Sequence, residues 1–250
     1  MAPVQSFVSI TPTWHNSPYP KISPTRPELS AKGKSLLITG GGTGIGLAVA
    51  RGFATAGVRE IALTGRRIGV LNKAAEALKK DFAGVRVLAL VMDVTVKESV
   101  DRAFEEAIKA FGRVDICVSN AGYSPPPTPI ATIDPQDWLQ GFDTNVKGSL
   151  YVIQAFLKDA KVGSFLLNTS SGIGHMPALA GLSSYSSSKA AGIKMFESVA
   201  AENPGINVFN VQPGMIITDV HRVGNAGNEL DVDDGRCPHP LPFHRSKIKD

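Results

Sequence analysis

From Lys34 onward the chain alternates short apolar runs with longer amphipathic stretches, and this alternation narrows its fold more than any other feature. The apolar runs are Ser35-Leu36-Leu37-Ile38-Thr39 and then 60–64, 85–91, 114–119, 164–168 and 207–211. Between them lie stretches with helical spacing at 44–56, 70–82, 97–111, 136–159 and 184–202. None of the runs shows the strict polar/apolar alternation of a strand with one wet face. Strands covered on both faces and separated by helices form a parallel sheet. The expected class is α/β, a Rossmann-type doubly wound parallel sheet with helices on both faces.

The turn between the first run and the first helix carries a constraint of its own. Gly40-Gly41-Gly42-Thr43-Gly44-Ile45-Gly46 directly follows the strand and opens the helix. So tight a turn needs residues that tolerate positive φ. Glycine also lets the backbone approach a pyrophosphate at the positive end of the helix dipole. A glycine-rich loop alone is a weak signal, but strand, turn and helix in this order point to a dinucleotide.

The 250 residues, 43% of them hydrophobic, can bury one sizeable core, so a single catalytic domain is expected. A net charge of +4, with 19% charged residues, gives little electrostatic reason for a nucleic-acid or membrane partner. The two cysteines are Cys117, in an apolar run, and Cys237, in a polar stretch. They argue against a disulfide framework and for a reducing, cytoplasmic setting. No apolar stretch reaches the roughly 18 residues of a membrane span, and the N-terminus lacks a signal pattern, so the chain reads as soluble and unprocessed. Residues 1–33 carry Pro3, Pro12, Pro18, Pro20, Pro24 and Pro27 among serines and threonines. They read as a Pro-rich N-terminal arm, either laid across a surface or poorly ordered. Residues 34–219 form the dinucleotide-binding catalytic domain, and 220–250 an irregular tail.

Tyr185-Ser186-Ser187-Ser188-Lys189 supplies the complementary chemistry. Reducing a carbonyl by hydride delivery leaves negative charge on oxygen, so the site needs an acid there. A free tyrosine, with a pKa of about 10, is a poor one, but a nearby ammonium favours the phenolate and should bring the value toward working pH. Lys189, four residues on, shares a helix face with Tyr185. Ser171, at the end of the fifth run, is placed to hydrogen-bond the substrate oxygen. Ser170 competes for that role because adjacent side chains at a strand end diverge. After the second run, Gly65-Arg66-Arg67 stands where a carboxylate would accept from a ribose 2′-hydroxyl and repel a 2′-phosphate. NADP(H) is therefore favoured over NAD(H). Tyr123, His175, Met176, Pro177 and Leu179 flank the catalytic candidates, and the substrate itself is not legible.

Over Lys34 to Asp219 the chain resembles the short-chain dehydrogenase/reductase family. The resemblance rests on an ordered set of motifs: Thr39-Gly-x-x-x-Gly-x-Gly46, Asp93, Asn120-Ala121-Gly122, Asn145, Ser171, Tyr185 with Lys189, and Pro213-Gly214 with Thr218. It implies a cofactor site built from Gly40, Thr43, Gly44, Ile45 and Gly46, with Arg66 on the 2′-phosphate and Asp93 at the adenine amino group. It further implies that Asn120 stabilises the sheet beside the cofactor and that Pro213 and Thr218 lie on the nicotinamide side. Asn145, Ser171, Tyr185 and Lys189 become the catalytic set, with Tyr185 and Lys189 also counted in the cofactor site, Lys189 on the nicotinamide ribose. The partner is then a small-molecule carbonyl or alcohol. Asp93 has a plainer reading as the N-cap of the following helix, with Thr95 an equally good cap.

Beyond Thr218 the chain departs from the family pattern. Where a substrate-covering segment, another helix and a seventh strand are expected, it has Gly235-Arg236-Cys237-Pro238-His239-Pro240 and similar text. The last strand region is expected to be missing, and a homo-oligomer would be weakened if its C-terminal interface is absent. Two functions stay open: an NADP(H)-dependent oxidoreductase interconverting a carbonyl and a secondary alcohol, or a non-catalytic dinucleotide-binding protein disabled by its altered end.

Overall fold

The structure is a computed structural model that describes residues 19–214. Thr218, the tail and the first half of the N-terminal arm lie outside the described residues, as does the expectation of a missing last strand.

Six strands form one parallel sheet: β1 (Ser35–Thr39), β2 (Glu60–Gly65), β3 (Arg86–Val91), β4 (Ile116–Ser119), β5 (Phe165–Thr169) and β6 (Asn207–Val211). Their spatial order is β3-β2-β1-β4-β5-β6, so the chain reverses direction across the sheet between β1 and β4. In doubly wound sheets ligands bind beyond the carboxyl ends of the strands at that reversal. Every strand expected from the sequence is present, with shifts of at most two residues at its ends.

Successive strand residues feed two separate cores, as burial on both faces demands. Leu37, Ala62, Cys117, Leu166 and Val208 face α3 (Lys97–Phe111), α5 (Ser149–Leu157) and α6 (Ser183–Glu202). Leu36, Ile38, Ile61, Leu63, Ile116 and Val118 face α1 (Gly44–Thr55) and α2 (Ile68–Asp81). Phe156 from α5 and Phe196 from α6 are fully enclosed in the first core. Each contributes about 2–3 kcal/mol of apolar burial. α1 buries only Gly46, Ala50 and Ala54, small residues one turn apart that let the helix lie close to the sheet.

The expected single helix over 136–159 is interrupted. α4 (Pro135–Phe142), capped by Asp134 accepting from the N–H groups of Gln136 and Asp137, passes into a π-helical turn at Asp143–Gly148 before α5. Hydrophobic spacing carries through such a turn and conceals the extra residue. At the N-terminal side, the described part of the arm has two short 3-10 turns, Pro20–Ile22 and Pro27–Leu29. It docks where the Ala31 N–H donates to the carbonyl of Ala56.

Candidate active site

At the carboxyl end of β1 the chain turns with Gly40 at φ +65° and Gly44 at φ +51°, conformations open to glycine. Gly46 is required for a different reason: a Cβ there would lie 2.2 Å from the Gly40 carbonyl oxygen. Thr43 occupies the N-cap position of α1 but makes no side-chain cap bond. The first-turn N–H groups of Gly44, Ile45 and Gly46 thus meet no capping side chain, and with the helix dipole they form a donor set suited to a phosphate. This loop chemistry fits a dinucleotide pyrophosphate.

Asn120 braces the loop. Its Nδ2 donates to the carbonyls of Thr39 (2.9 Å) and Gly40 (3.3 Å), while its own N–H and that of Ala121 donate to Thr39 Oγ1 at 2.8 Å. The Thr169 hydroxyl completes the set by donating to Asn120 Oδ1 at 3.2 Å. The ends of β1, β4 and β5 are thereby tied side by side at the reversal.

Ser171, Tyr185 and Lys189 meet beyond the end of β5. Ser171 N-caps a 3-10 turn, Gly172–Gly174, and its hydroxyl lies near enough to the Tyr185 phenol to pull its pKa down. Of the two adjacent serines, Ser171 is the one that meets the tyrosine; Ser170 is buried, with its N–H bonded to Val211 and Asn168. The Lys189 Nζ lies 5.8 Å from the Tyr185 ring centroid and donates to the Thr169 carbonyl at 2.8 Å. Lys189 is half-buried as a residue, but its ammonium is at the enclosed end, and burial brings it from 10.5 down to about 8. The expectation that the ammonium lowers the tyrosine does not hold in this state. Burial raises the Tyr185 phenol, and the nearby Ser171 hydroxyl offsets only part of the rise.

Asn145 is on the π-helical turn, 5% exposed. Its Oδ1 accepts from the Tyr123 N–H at 2.8 Å, and its Nδ2 donates to the Tyr123 carbonyl at 2.8 Å and to Ser188 Oγ at 2.9 Å. The asparagine is thus joined to α6 one residue before Lys189. A Cβ at Gly122 would be 3.4 Å from Asn145 Oδ1 and 3.8 Å from Lys189 Nζ, so both groups border the same backbone.

The second cluster lies at the ends of β2 and β3. Arg66 is exposed just past β2, and its charge helps hold the Asp93 carboxyl below its ordinary value. Burial is the largest influence on Asp93 and acts upward, but the Thr95 N–H and hydroxyl, together with Arg66, outweigh it. Asp93 Oδ1 accepts from both Thr95 groups, at 2.9 and 2.7 Å. Neither residue caps α3; its N-cap position is Val96, without a side-chain bond. Pro213 comes two residues past β6, after Gln212, whose Oε1 accepts the Gly172 N–H at 2.7 Å. His175 is exposed at the end of the serine turn.

Two contributors had no signature in the sequence. Thr169 holds Lys189 through a backbone carbonyl, which any residue carries, and Gln212 is a lone polar residue at a strand end. Among the described residues no helix is long and apolar enough to cross a membrane.

The short chain dehydrogenase family matches residues 34–229. The short chain dehydrogenase tazN of Aspergillus terreus is 35% identical over 222 residues, which are 84% of this chain and 47% of that protein. The chain therefore spans about half the length of that relative. Among solved structures, an alcohol dehydrogenase from the archaeon Thermococcus sibiricus, complexed with 5-hydroxy-NADP, aligns with TM-score 0.71 and 29% identity, covering 76% of this chain and 80% of its own. A 3-ketoacyl-(acyl-carrier-protein) reductase from Brucella melitensis, complexed with NADH, aligns with TM-score 0.71 and 26% identity over 78% of this chain and 80% of its own.

Proposed function

The chain belongs to the short-chain dehydrogenase family, and from that premise we propose that it is an NADP(H)-dependent oxidoreductase interconverting a carbonyl and a secondary alcohol, with Tyr185 as acid/base. One observation carries the reading: the Lys189 ammonium over the Tyr185 ring, with the Ser171 hydroxyl near the same phenol, beside the strand reversal that bears the glycine loop.

A bound nicotinamide dinucleotide supplies the hydride in reduction and accepts it in oxidation. The residues of this chain do the rest. Gly40, Thr43, Gly44, Ile45 and Gly46 hold the pyrophosphate at the α1 N-terminus, Asp93 meets the adenine, and Pro213 and Thr218 border the nicotinamide. Arg66 binds the 2′-phosphate, and the absence of a carboxylate at Gly65 supports NADP(H) over NAD(H). Ser171 donates a hydrogen bond to the substrate oxygen as charge develops there. Tyr185 gives that oxygen its proton. Burial favours the protonated phenol, the form that donates, but makes it a weaker acid than a free tyrosine, so the transfer depends on Lys189 stabilising the phenolate. Lys189 stabilises the phenolate left behind and binds the nicotinamide ribose, while Asn145 anchors the helix face that presents Lys189. The buried free thiol of Cys117 is in keeping with a reducing, cytoplasmic setting.

Titrating the protein with NADPH and NADH, then following NADPH absorbance with a panel of aliphatic and aryl ketones, tests this reading. Tyr185→Phe should bind NADPH normally and lose about 10²–10⁴-fold in turnover. Binding without turnover of any ketone by the unmodified protein would favour the non-catalytic alternative, and equal turnover by Tyr185→Phe would remove the tyrosine from the mechanism.

A further inference from the structure

Ser171 occupies a turn whose two flanking amides are both held by the end of β6. The Ser170 N–H donates to the Val211 carbonyl at 2.9 Å, and the Gly172 N–H donates to Gln212 Oε1 at 2.7 Å. The first is a backbone bond that any residue at 211 would accept; the second depends on one side chain. On its other side the turn is seated against α6, where a Cβ at Gly174 would lie 3.0 Å from the Ala190 nitrogen and 3.2 Å from the Lys189 carbonyl carbon. Within the turn itself, Ser171 Oγ accepts from the Ile173 N–H at 3.4 Å, a long and weak restraint. Gly172 is buried, so its N–H needs a protein partner or a forced rearrangement. The turn also holds itself through its backbone, with the Ser171 carbonyl accepting from the Gly174 N–H at 3.1 Å and the Gly172 carbonyl from the His175 and Met176 N–H groups at 3.0 and 2.9 Å; the short bond to Gln212 is the side-chain bond that ties the carboxyl side of Ser171 to the end of β6.

We infer that Gln212 is a positioning residue, whose side-chain carbonyl accepts the Gly172 N–H and so steadies the turn that presents the Ser171 hydroxyl beside α6. The inference rests on the reading of Ser171 as donor to the substrate oxygen. Gln212 acts through Ser171 and also joins the serine turn to Pro213-Gly214. A methionine at 212 keeps the length and removes the acceptor, whereas a glutamate keeps the acceptor.

Two measurements test it on the full chain. The first is amide exchange at Gly172, which needs no substrate: Gln212→Met should exchange at least tenfold faster there and Gln212→Glu should restore protection. A Gly172 amide that exchanges equally in wild type and Gln212→Met overturns the inference. The second is a kinetic cycle with NADPH and the ketone turned over in the panel above. Gln212→Met should lower kcat about tenfold with the NADPH dissociation constant within about twofold, and Gln212→Glu should recover most of the loss. Residues acting through one another are non-additive, so Ser171→Ala/Gln212→Met should turn over within about twofold of Ser171→Ala alone. If the double variant loses a further tenfold, or Gln212→Met keeps wild-type kcat while Ser171→Ala collapses, the inference falls and the reading of Ser171 stands. If Ser171→Ala itself keeps wild-type kcat, the reading falls and takes the inference with it. Thermal melts of each variant separate a misfolded chain from a mispositioned serine, and the Glu variant decides where the Met variant does not fold.

Discussion

Lys189 should make the stability of the cofactor-free protein depend on pH in an unusual sense. Its ammonium is held at about 8 against an ordinary 10.5, because burial disfavours the charge. Unfolded, the lysine keeps its proton up to about 10.5; folded, it releases it from about 8. Between these values the unfolded state binds more protons, so stability rises with pH, and below about 8 the full cost of burying the charge is present. The uncorrected displacement corresponds to about 3 kcal/mol. Lys189 is only half-buried as a residue, so solvent screening brings the expectation to about 1–2 kcal/mol. Tyr185, the nearest titratable partner, is raised above its ordinary value and stays neutral through most of the window. Lys189→Met keeps the length of the side chain and removes the charge. Urea unfolding of both proteins from pH 7 to 10 should show wild type gaining about 1–2 kcal/mol on the variant as pH rises, with effects of the other titrating groups cancelling in the difference. The Thr169 carbonyl left without its lysine shifts the offset between the curves and leaves their divergence intact. A difference that stays flat, or that narrows with rising pH, would refute the desolvation argument.

Other perturbations separate the roles of neighbouring residues. Gly46→Ala would drive a Cβ to 2.2 Å from the Gly40 oxygen and should weaken NADPH binding by more than tenfold by calorimetry. Gly52→Ala, on the same helix but with nothing within 4 Å, should leave binding unchanged and raise stability by about 0.5–1 kcal/mol. Asn145→Leu leaves the Tyr123 amide groups without their side-chain partner and should cost about 2–3 kcal/mol in urea unfolding, beyond any effect on turnover. Arg66→Ala should weaken NADPH about tenfold or more, the worth of one charge-assisted contact, while NADH titrates nearly as before.

The sequence makes visible what repeats locally. Six apolar runs and the helices between them are legible because burial on both faces and helical spacing are properties of consecutive residues, and Tyr185 with Lys189 is legible because four residues make one helical turn. What escapes it depends on packing. The π-helical turn at Asp143–Gly148 keeps the apolar spacing of one long helix, yet it is this turn that carries Asn145 to Tyr123 and Ser188. The raised Tyr185 has the same origin: spacing brings an ammonium near the phenol, but the burial that raises the phenol is supplied by the assembled chain, and burial also lowers the ammonium itself.

The strand order turns separate motifs into one site. Glycine loop, Asn120 and serine turn are spread over more than a hundred residues, and nothing in any one of them says that they touch. They do so because β4 inserts beside β1 and β5 beside β4, which puts Thr39, Asn120 and Thr169 in one row of hydrogen bonds. That row has consequences at both ends: Asn120 holds the Gly40 carbonyl of the glycine loop, and the Thr169 carbonyl holds Lys189. The lysine proposed to assist proton transfer and the loop suited to the pyrophosphate are therefore oriented by the same three strand ends. Displacing any one of them should disturb cofactor binding and the titration of Lys189 together.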